Sequence, residues 1–452
     1  MRNDRMLSVH ELKRRIAEGE IDTVVVAITD MQGRLQGKRM HGPYFVEHVL
    51  EHGTEGCNYL LGVDIEMNTV PGYATSSWDQ GYGDVGFALD LDTIRLLRHL
   101  PATAMVQCDL VWLDQRDVAQ SPRTILKRQL AAAAERGFLA LAGTELEFLV
   151  FDIGYEDAWR TAYRDLPPAN LYNVDYSILG TSRVEPLLRD IRNTCYAAGM
   201  EVESAKGECN FGQHEIGFLF ANALTTADNH AVYKTIAKEI AAHHGKSITF
   251  MAKYNEREGS SCHIHLSLRD AGTGGLVFAG PDGRTPVYDA FIAGVLATMR
   301  DFTVLYAPNV NSYKRFAADS FAPTAIAWGE DNRTCAIRLV GTGASARLEN
   351  RVPGADVNPY LALAAMIAGG LHGIDHALEP PEPWPGNAYT SGLPTVPHTL
   401  REARDAFSGS DLARRLLGDE VVDHYTNMAD VELAAFESAV TDWERFRSFE
   451  RM

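Results

Sequence analysis

Short runs of apolar and β-branched residues dominate the first hundred positions of the chain. The segment DTVVVAITD at 22–30 predicts a strand, and the MQGRLQGKRM that follows predicts a turn and a second strand. Residues 104–110 predict another strand. Residues 71–83 are rich in Gly, Ser, Tyr and Trp and predict a long loop, a feature that is often functional in compact domains. The N-terminal part is therefore predicted to be β-rich.

Helical patterns begin after this β-rich part. Ser121 and Pro122 form a helix start, and Gly137 is placed to end that helix. Three more helical segments are predicted: residues 226–244, a helix that begins at Asn358-Pro359, and an amphipathic segment from Leu400.

The change of pattern predicts two domains. We place the boundary near residue 112, which gives an N-terminal domain of residues 1–111 and a second domain of residues 112–452. Strands and helices mix throughout the second domain, so its sequence predicts a mixed α and β structure.

Two carboxylates lie two positions apart in one predicted strand, LALAGTELEFLVFD at 139–152. Because strand side chains alternate, Glu145 and Glu147 share one face, while Leu146 and Phe148 point to the other. A pair of carboxylates on one face is often simply solvated. The apolar residues on both sides argue against free exposure here and favour a bound positive charge.

Two other predicted strands repeat this alternation. Their shared faces carry His263, His265 and Ser267 in CHIHLSL, and Arg347, Glu349 and Arg351 in SARLENRV. The second set could form a surface salt-bridge ladder. Alternatively, it combines one metal-ligating carboxylate with two guanidinium groups that bind phosphate or carboxylate.

Glu208 and Glu215 are seven positions apart in KGECNFGQHEIGF and would lie on opposite faces of a single strand. Asn210 and Gly212 lie between them and allow a turn. A hairpin with that turn would bring both carboxylates to one side.

The amino-acid composition and the net charge disfavour several classes of protein. The chain has 452 residues, of which 46% are hydrophobic and 23% charged, so it is not a disordered protein. Its net charge of −18 disfavours nucleic acid as a partner and is compatible with carboxylates that hold cations. The six cysteines are scattered, and the N-terminus lacks an apolar signal segment. We therefore expect reduced thiols, a cytoplasmic location and no membrane partner.

These patterns together indicate a metal-dependent site. Five glutamates and one histidine form the candidate ligand set: Glu145, Glu147, Glu208, Glu215, Glu349 and His263. Oxygen-rich ligation suits Mg²⁺ or Mn²⁺, and the nearby arginines suit phosphoryl transfer. The sequence contains no P-loop motif. The residues alone leave open an ATP-dependent ligase and a two-metal phosphohydrolase.

Six motifs in one order resemble the glutamine synthetase family: ELEFLVFD, GQHEI, EGSSCHIHLSL, NSYKRF, DNRTCAIR and ARLENRVPGADVNPYLA. The resemblance runs from about residue 22 to residue 373. It implies an α+β fold with an N-terminal β-grasp domain and a catalytic domain built on a curved antiparallel sheet. It also implies a homo-oligomer, a dodecamer of two hexameric rings with active sites between neighbouring subunits.

The resemblance implies a ligase that uses ATP to activate the γ-carboxylate of glutamate as an acyl phosphate, which an amine then attacks. The resemblance implies a role for each residue that matches a family motif. Glu147, Glu208 and Glu215 match one metal site, and Glu145, His263 and Glu349 match the second. Gly259, Arg315 and Arg351 match the glutamate site, and Glu203, Phe220, His265, Ser267, Arg338 and Arg347 match the nucleotide site. Arg333 and Arg315 match catalytic positions, with Arg333 on the transferring phosphate.

The chain departs from the family where ammonium would bind. Phe321 occupies the place of a glutamate in true glutamine synthetases, and Leu61 lies near the place of an aspartate. Because a desolvated ammonium needs carboxylates, these apolar residues favour an amine that carries carbon. Apolar contact contributes on the order of 1.5–3 kcal/mol per buried side chain.

The closest resemblance is to actinobacterial glutamine-synthetase-like proteins that make γ-glutamylethanolamide, carried by segments such as NTVPGYATSSWDQGYGD. It favours ethanolamine as the amine. A polyamine such as putrescine is the alternative, with Asp64 as a candidate distal carboxylate in the amine pocket. A true glutamine synthetase that uses ammonium is a further alternative.

Overall fold

The computed structural model describes residues 5–452 and contains two main β-sheets with helices packed against them. The first sheet has the strand order β2-β1-β5-β4-β3. Its strands are β1 (Thr23–Thr29), β2 (Leu35–His41), β3 (Thr54–Cys57), β4 (Asp84–Leu96) and β5 (Thr103–Val111). β1 pairs in parallel with β5, and the other neighbours are antiparallel. The predicted N-terminal strands are therefore confirmed.

The second sheet is larger and has the order β14-β15-β16-β11-β6-β8-β7, with β9 and β10 also paired to β6. Its strands are β6 (Phe138–Phe151), β7 (Val202–Gly207), β8 (Gln213–Phe218), β9 (Ala221–Asn222), β10 (Ser247–Thr249), β11 (Cys262–Asp270), β14 (Trp328–Glu330), β15 (Ile337–Val340) and β16 (Arg347–Asn350). β12 (Ala279–Gly280) and β13 (Gly283–Arg284) form a separate hairpin. Most neighbouring strands of the second sheet are antiparallel, whereas β14 and β15 are parallel.

Fifteen α-helical segments complete the described part of the chain. In chain order, α1 to α15 are Val9–Ala17, Gly42–Tyr44, Leu50–His52, Pro122–Glu135, Tyr155–Arg160, Ile178–Thr181, Glu185–Ala197, Ala223–His243, Pro286–Thr298, Thr303–Tyr306, Pro359–Asp375, Leu400–Ser408, Asp411–Leu417, Asp419–Ser438 and Asp442–Ser448. A π-helical turn spans Phe45–Val49, and 3-10 turns span Asn58–Leu61, Val310–Arg315, Gly343–Ser345 and Ala388–Thr390. Within residues 5–452, no helix combines the length and the apolar character needed to cross a membrane.

The helices predicted at Ser121-Pro122, at Asn358-Pro359 and from Leu400 are present. The helix predicted from residue 226 begins earlier, at Ala223, because the side chain of Asn222 accepts the N–H of Thr225 at 2.9 Å and caps it. The mixed α+β class is confirmed. The boundary near residue 112 stays a prediction, and it falls between β5 and α4.

A buried ion cluster joins the two sheets. Arg123 on α4 is 2% exposed and contacts Asp109 on β5 at 2.6 Å, Asp228 on α8 at 3.0 Å and Asp90 on β4. The hydroxyl of Tyr360 on α11 also donates to Asp228, at 2.6 Å. These contacts fix the first sheet against the helices that support the second sheet.

We expect the Arg123→Met variant to lower the free energy of unfolding by about 3–5 kcal/mol, since it leaves the buried carboxylate of Asp228 without the cation that pairs with it. Denaturant titration measures the loss. Arg116→Met is the matched control, because Arg116 pairs with Asp114 at an exposed surface and should change stability by less than about 0.5 kcal/mol. Equal effects of the two substitutions would contradict this role for the cluster.

Candidate active site

Strand register in the second sheet aligns the chemically active side chains. On β6, Glu145 lies opposite His263 of β11, and Glu147 lies opposite Glu215 of β8. On β16, Glu349 lies opposite His265 of β11. The alternation predicted from the sequence therefore puts these residues on one face of a continuous sheet.

The first cluster contains three carboxylates. Ligand atoms of Glu147, Glu208 and Glu215 all lie within 4.8 Å of one another. Glu208 reaches the cluster because the chain turns between β7 and β8, where its N–H donates to the carbonyl of Gln213 at 2.9 Å. Lys206 is the adjacent cation and forms an ion pair with Glu208. Three carboxylates and one ammonium leave an excess of negative charge that a divalent cation would balance.

Burial and mutual repulsion raise the pKa values of two of these carboxylates. Burial, followed by the charge of Glu208, raises the pKa of Glu147 to about 8. Burial and the neighbouring carboxylates also raise the pKa of Glu215 well above its ordinary value. The side-chain amide of Gln213 and the N–H of Ser261 both donate to Glu147, at 3.0 and 2.7 Å, and hold its carboxylate in place.

The raised pKa values predict pH-dependent metal binding. Without a cation, Glu147 and Glu215 keep protons at pH values where ordinary carboxylates are ionised, and an incoming Mg²⁺ has to displace those protons. We therefore expect Mg²⁺ affinity to rise as the pH increases towards about 8. Calorimetry in buffers of different ionisation enthalpy should show proton release on binding. A flat affinity between pH 6 and about 8 would contradict this prediction.

The second cluster combines Glu145, His263 and Glu349, whose ligand atoms also lie within 4.8 Å. The Nδ1 atom of His263 is 3.4 Å from Glu145 and 3.6 Å from Glu349. Burial, followed by the charge of Arg351, lowers the pKa of His263 to about 4, so its imidazole is neutral and able to bind a metal. Oxygen donors with one imidazole fit Mg²⁺ or Mn²⁺.

Glu349 is fully buried, and Arg338 at 2.9 Å and Arg351 form ion pairs with it. A third group of possible ligands, Asp175, Glu208 and Cys209, is more exposed. Its thiol is a soft ligand that suits Mg²⁺ poorly.

A cleft of about 460 Å³ opens beside both clusters, and Glu145 and Glu215 are among its lining residues. Five of the six predicted nucleotide-site residues line it: Glu203, Phe220, His265, Ser267 and Arg347. Phe220 is 62% exposed, and its ring is therefore available for stacking on a base. The sixth residue, Arg338, does not line this cleft. Its guanidinium is held by Glu349 and Asp331 instead.

The predicted glutamate residues surround the loop at 253–261. Gly259 is sterically required, since a Cβ there would lie 2.5 Å from the carbonyl of Ala252 and 2.8 Å from Cγ of Arg315. The glutamate-binding role of Arg315 stays a prediction. This residue is buried, and its guanidinium donates to Ser261 and to the carbonyls of Val352 and Arg351. Most of its donors are therefore committed inside the protein.

The predicted amine-pocket residues do not come together within one chain. Phe321 is 58% exposed and lines a cavity of about 740 Å³ with Arg333 and Trp384. Leu61 is 2% exposed and packs in the hydrophobic core, and its assignment to the amine pocket stays a prediction. Asp64 lines a different cavity and accepts hydrogen bonds from the N–H groups of its own turn.

Sequence patterns missed two contributors to the site. Trp384 lies beside Phe321 and Arg333, although 51 residues separate it from Arg333. Gln213 of the GQHEI motif orients Glu147, to which its side-chain amide donates a hydrogen bond at 3.0 Å. Neither contact produces a periodic signal, because each depends on how separate segments meet in space.

Comparisons with known proteins identify the same family that the sequence motifs resemble. The family profile described as glutamine synthetase, catalytic domain, matches residues 119–448. The chain is 62% identical over 446 residues to the γ-glutamylethanolamide synthetase GlnA4 of Streptomyces coelicolor, covering 99% of this chain and 96% of that relative. It is 36% identical to a glutamate–isopropylamine ligase of a Pseudomonas species, with 96% of each chain covered.

The solved structure of GmaS without ligand superposes with a TM-score of 0.85 at 26% identity, covering 98% of this chain and 100% of that one. The fold, the family profile and the similarity along nearly the whole chain lead to one conclusion: this protein belongs to the glutamine synthetase family.

Proposed function

We propose that this protein is an ATP-dependent ligase that joins the γ-carboxylate of glutamate to a primary amine, with ethanolamine as the favoured amine. The observation that carries the proposal is the apolar side chain of Phe321 in the same cavity as Arg333. The carbonyl of Phe321 accepts a hydrogen bond from Arg351, which pairs with Glu349 of the second cluster. The names of the two amine-ligase relatives support the same reaction class.

In the proposed reaction, ATP occupies the cleft that contains Phe220 and Arg347, with its phosphates towards Glu145 and Glu215. Mg²⁺, or Mn²⁺ in its place, would be held by the two clusters and would screen the phosphate charges. The γ-carboxylate of glutamate attacks the terminal phosphorus atom, the bond to the β-phosphate oxygen breaks, and ADP leaves.

The amine then attacks the γ-glutamyl phosphate. Its nitrogen forms the amide bond, inorganic phosphate leaves, and the nitrogen loses a proton. The guanidinium of Arg333 is the group proposed to stabilise the transferring phosphate, and Arg351 is proposed to bind glutamate. Arg315, with most of its donors committed to Ser261 and to backbone carbonyls, is proposed mainly to position the loop that contains Gly259.

Phe321 is proposed to decide which amine reacts. An aromatic wall gives a carbon-bearing amine apolar contact and gives ammonium no charged partner. Trp384 offers a second aromatic surface in the same cavity. Leu61 and Asp64 are not among the residues that line this cavity in the single chain, so within one chain a long diamine would lack the distal carboxylate of Asp64.

We also propose the family's assembly, a dodecamer of two hexameric rings, in the cytoplasm. Large apolar side chains on the surface of the single chain support burial by other subunits. They include Trp78, Trp443, Phe446 and Phe449, which are 68–92% exposed. We retain residues 1–111 and 112–452 as the proposed domains.

Isotope transfer tests the reaction class. Glutamate labelled with ¹⁸O in its γ-carboxylate should deliver one label to the released phosphate when ATP, Mg²⁺ and ethanolamine are present. This transfer requires the acyl phosphate. Phosphate release that needs no glutamate, with no label transferred, would instead identify a two-metal phosphohydrolase and overturn the proposal.

A further inference from the structure

A second cavity, with a volume of about 350 Å³, lies where the turn after β1, helix α8 and helix α14 meet. Its wall contains Arg34, Lys234, Lys238, Phe250 and Glu432. Among the described residues, none of those proposed above to bind metal, nucleotide or glutamate lines it. Its size is within the range of sites for small metabolites.

One side of this cavity is cationic. Lys234 and Lys238 lie one helical turn apart on α8, and their ammonium groups lie 5.2 and 5.8 Å from the centre of the Phe250 ring. Lys234 donates to the carbonyl of Ala355 at 3.2 Å. Within residues 5–452, neither lysine forms an ion pair with a carboxylate. Burial, followed by the charge of Lys238, lowers the pKa of Lys234 to about 8, which reflects this lack of compensation.

The same cavity also has acidic lining residues. Glu432 on α14, Asp64 and Asp356 all line it. Burial raises the pKa of Glu432, a hydrogen bond from the backbone N–H of Val310 opposes this, and the charges of Asp64 and Asp356 raise the pKa further. Glu432 is therefore repelled by both of these carboxylates. Only one oxygen of Asp356 is occupied, by Asn309 at 2.8 Å and Ser312 at 2.6 Å. A cation of a bound molecule would relieve this repulsion.

We propose that this cavity is a second ligand site, separate from the catalytic cleft, for a small zwitterion of the α-amino acid class. Its carboxylate would pair with Lys234 and Lys238, and its ammonium would pair with Glu432 and Asp64. Phe250 and Met428, which also line the cavity, would contact the carbon chain. The two lysines, which have no carboxylate partner in an ion pair, and the carboxylate of Glu432 would then each have a partner of opposite sign.

The cavity is directly connected to the loop over the catalytic site. Asn311 lines the cavity, its side-chain oxygen accepts the N–H of Lys253 at 2.9 Å, and its amide donates to the carbonyl of Lys253 at 2.8 Å. Lys253 begins the loop that contains Gly259, and Asn311 belongs to the 3-10 turn that ends at Arg315. A bound zwitterion would therefore act on the segments that shape the proposed glutamate site.

Equilibrium dialysis of the full-length protein with ¹⁴C-L-glutamate, ADP and Mg²⁺ tests the proposal. The wild-type protein should bind a second molecule of glutamate per chain beyond the catalytic one, and the K234M/K238M variant should lose that second molecule alone. Glutarate, which lacks the ammonium group, should compete at the second site roughly tenfold more weakly than glutamate.

Lys13→Met is the matched control, since Lys13 is an exposed lysine on α1 far from the cavity in sequence, and it should keep both molecules. Glu432→Gln is a second variant that leaves the lysines in place and should weaken the second site about tenfold. A single bound molecule in the wild-type protein, or two in K234M/K238M, would overturn the inference. Because turnover is measured separately, failure here would leave the proposed ligase reaction standing.

Discussion

Replacing Glu349 by alanine is expected to reduce glutamate-dependent ATP turnover by roughly a thousandfold or more. Glu349 is the fully buried member of the second cluster, and its carboxylate faces His263 at 3.6 Å. Its removal takes away a proposed metal ligand and leaves the guanidinium groups of Arg338 and Arg351 without their shared anion. The remaining positive charges would repel a divalent cation from this position.

Steady-state phosphate release measures this effect, and Mg²⁺ titration shows whether the cation is lost. Glu349→Gln preserves the side-chain volume and should be nearly as inactive, which separates the loss of charge from a packing defect. Glu379→Ala, at an exposed position, should behave as wild type. Turnover within about tenfold of wild type in both Glu349 variants would contradict the proposed metal cluster.

Replacing Phe321 by glutamate is expected to reverse the choice of amine. The substitution removes an apolar wall and adds a carboxylate, which disfavours a carbon-bearing amine and favours ammonium. Apolar contact on the order of 1.5–3 kcal/mol corresponds to a loss of roughly 10- to 150-fold in kcat/KM for ethanolamine. The kcat/KM for ammonium should rise at the same time.

Phe321→Leu is the control that keeps the wall apolar, and it should retain the preference for ethanolamine. The measured quantity is the ratio of the two kcat/KM values, because a general loss of activity leaves that ratio unchanged. If Phe321→Glu and wild type share the same ratio, Phe321 does not select the amine. Trp384, which lines the same cavity, would then be the next residue to test.

Period-two alternation explains why so much of the site could be predicted from the sequence. A strand has only two faces, so the spacing of Glu145 and Glu147 fixes their common side, and apolar neighbours at the alternate positions indicate which face is buried. The turn between Glu208 and Glu215 was predictable for a similar reason, since Asn210 and Gly212 favour a change of direction.

Contacts between distant segments could not be predicted in this way. The sequence matched Arg315 to the glutamate site but gave no sign that the carbonyls of Arg351 and Val352 accept hydrogen bonds from its guanidinium. It placed Leu61 in the amine pocket but gave no sign that this residue is buried in the hydrophobic core that includes the first sheet. The partner of a side chain depends on tertiary packing, about which local periodicity carries no information.

Phosphate release from the purified protein with ATP, Mg²⁺ and glutamate, compared across amines, tests most directly whether this protein is a glutamate–amine ligase that prefers ethanolamine. Parallel reactions would contain no amine, ammonium, ethanolamine, putrescine or spermine. If Phe321 selects a carbon-bearing amine, ethanolamine should stimulate phosphate release strongly, the polyamines weakly and ammonium almost not at all. Highest activity with ammonium would contradict this selection and would identify an ordinary glutamine synthetase despite Phe321.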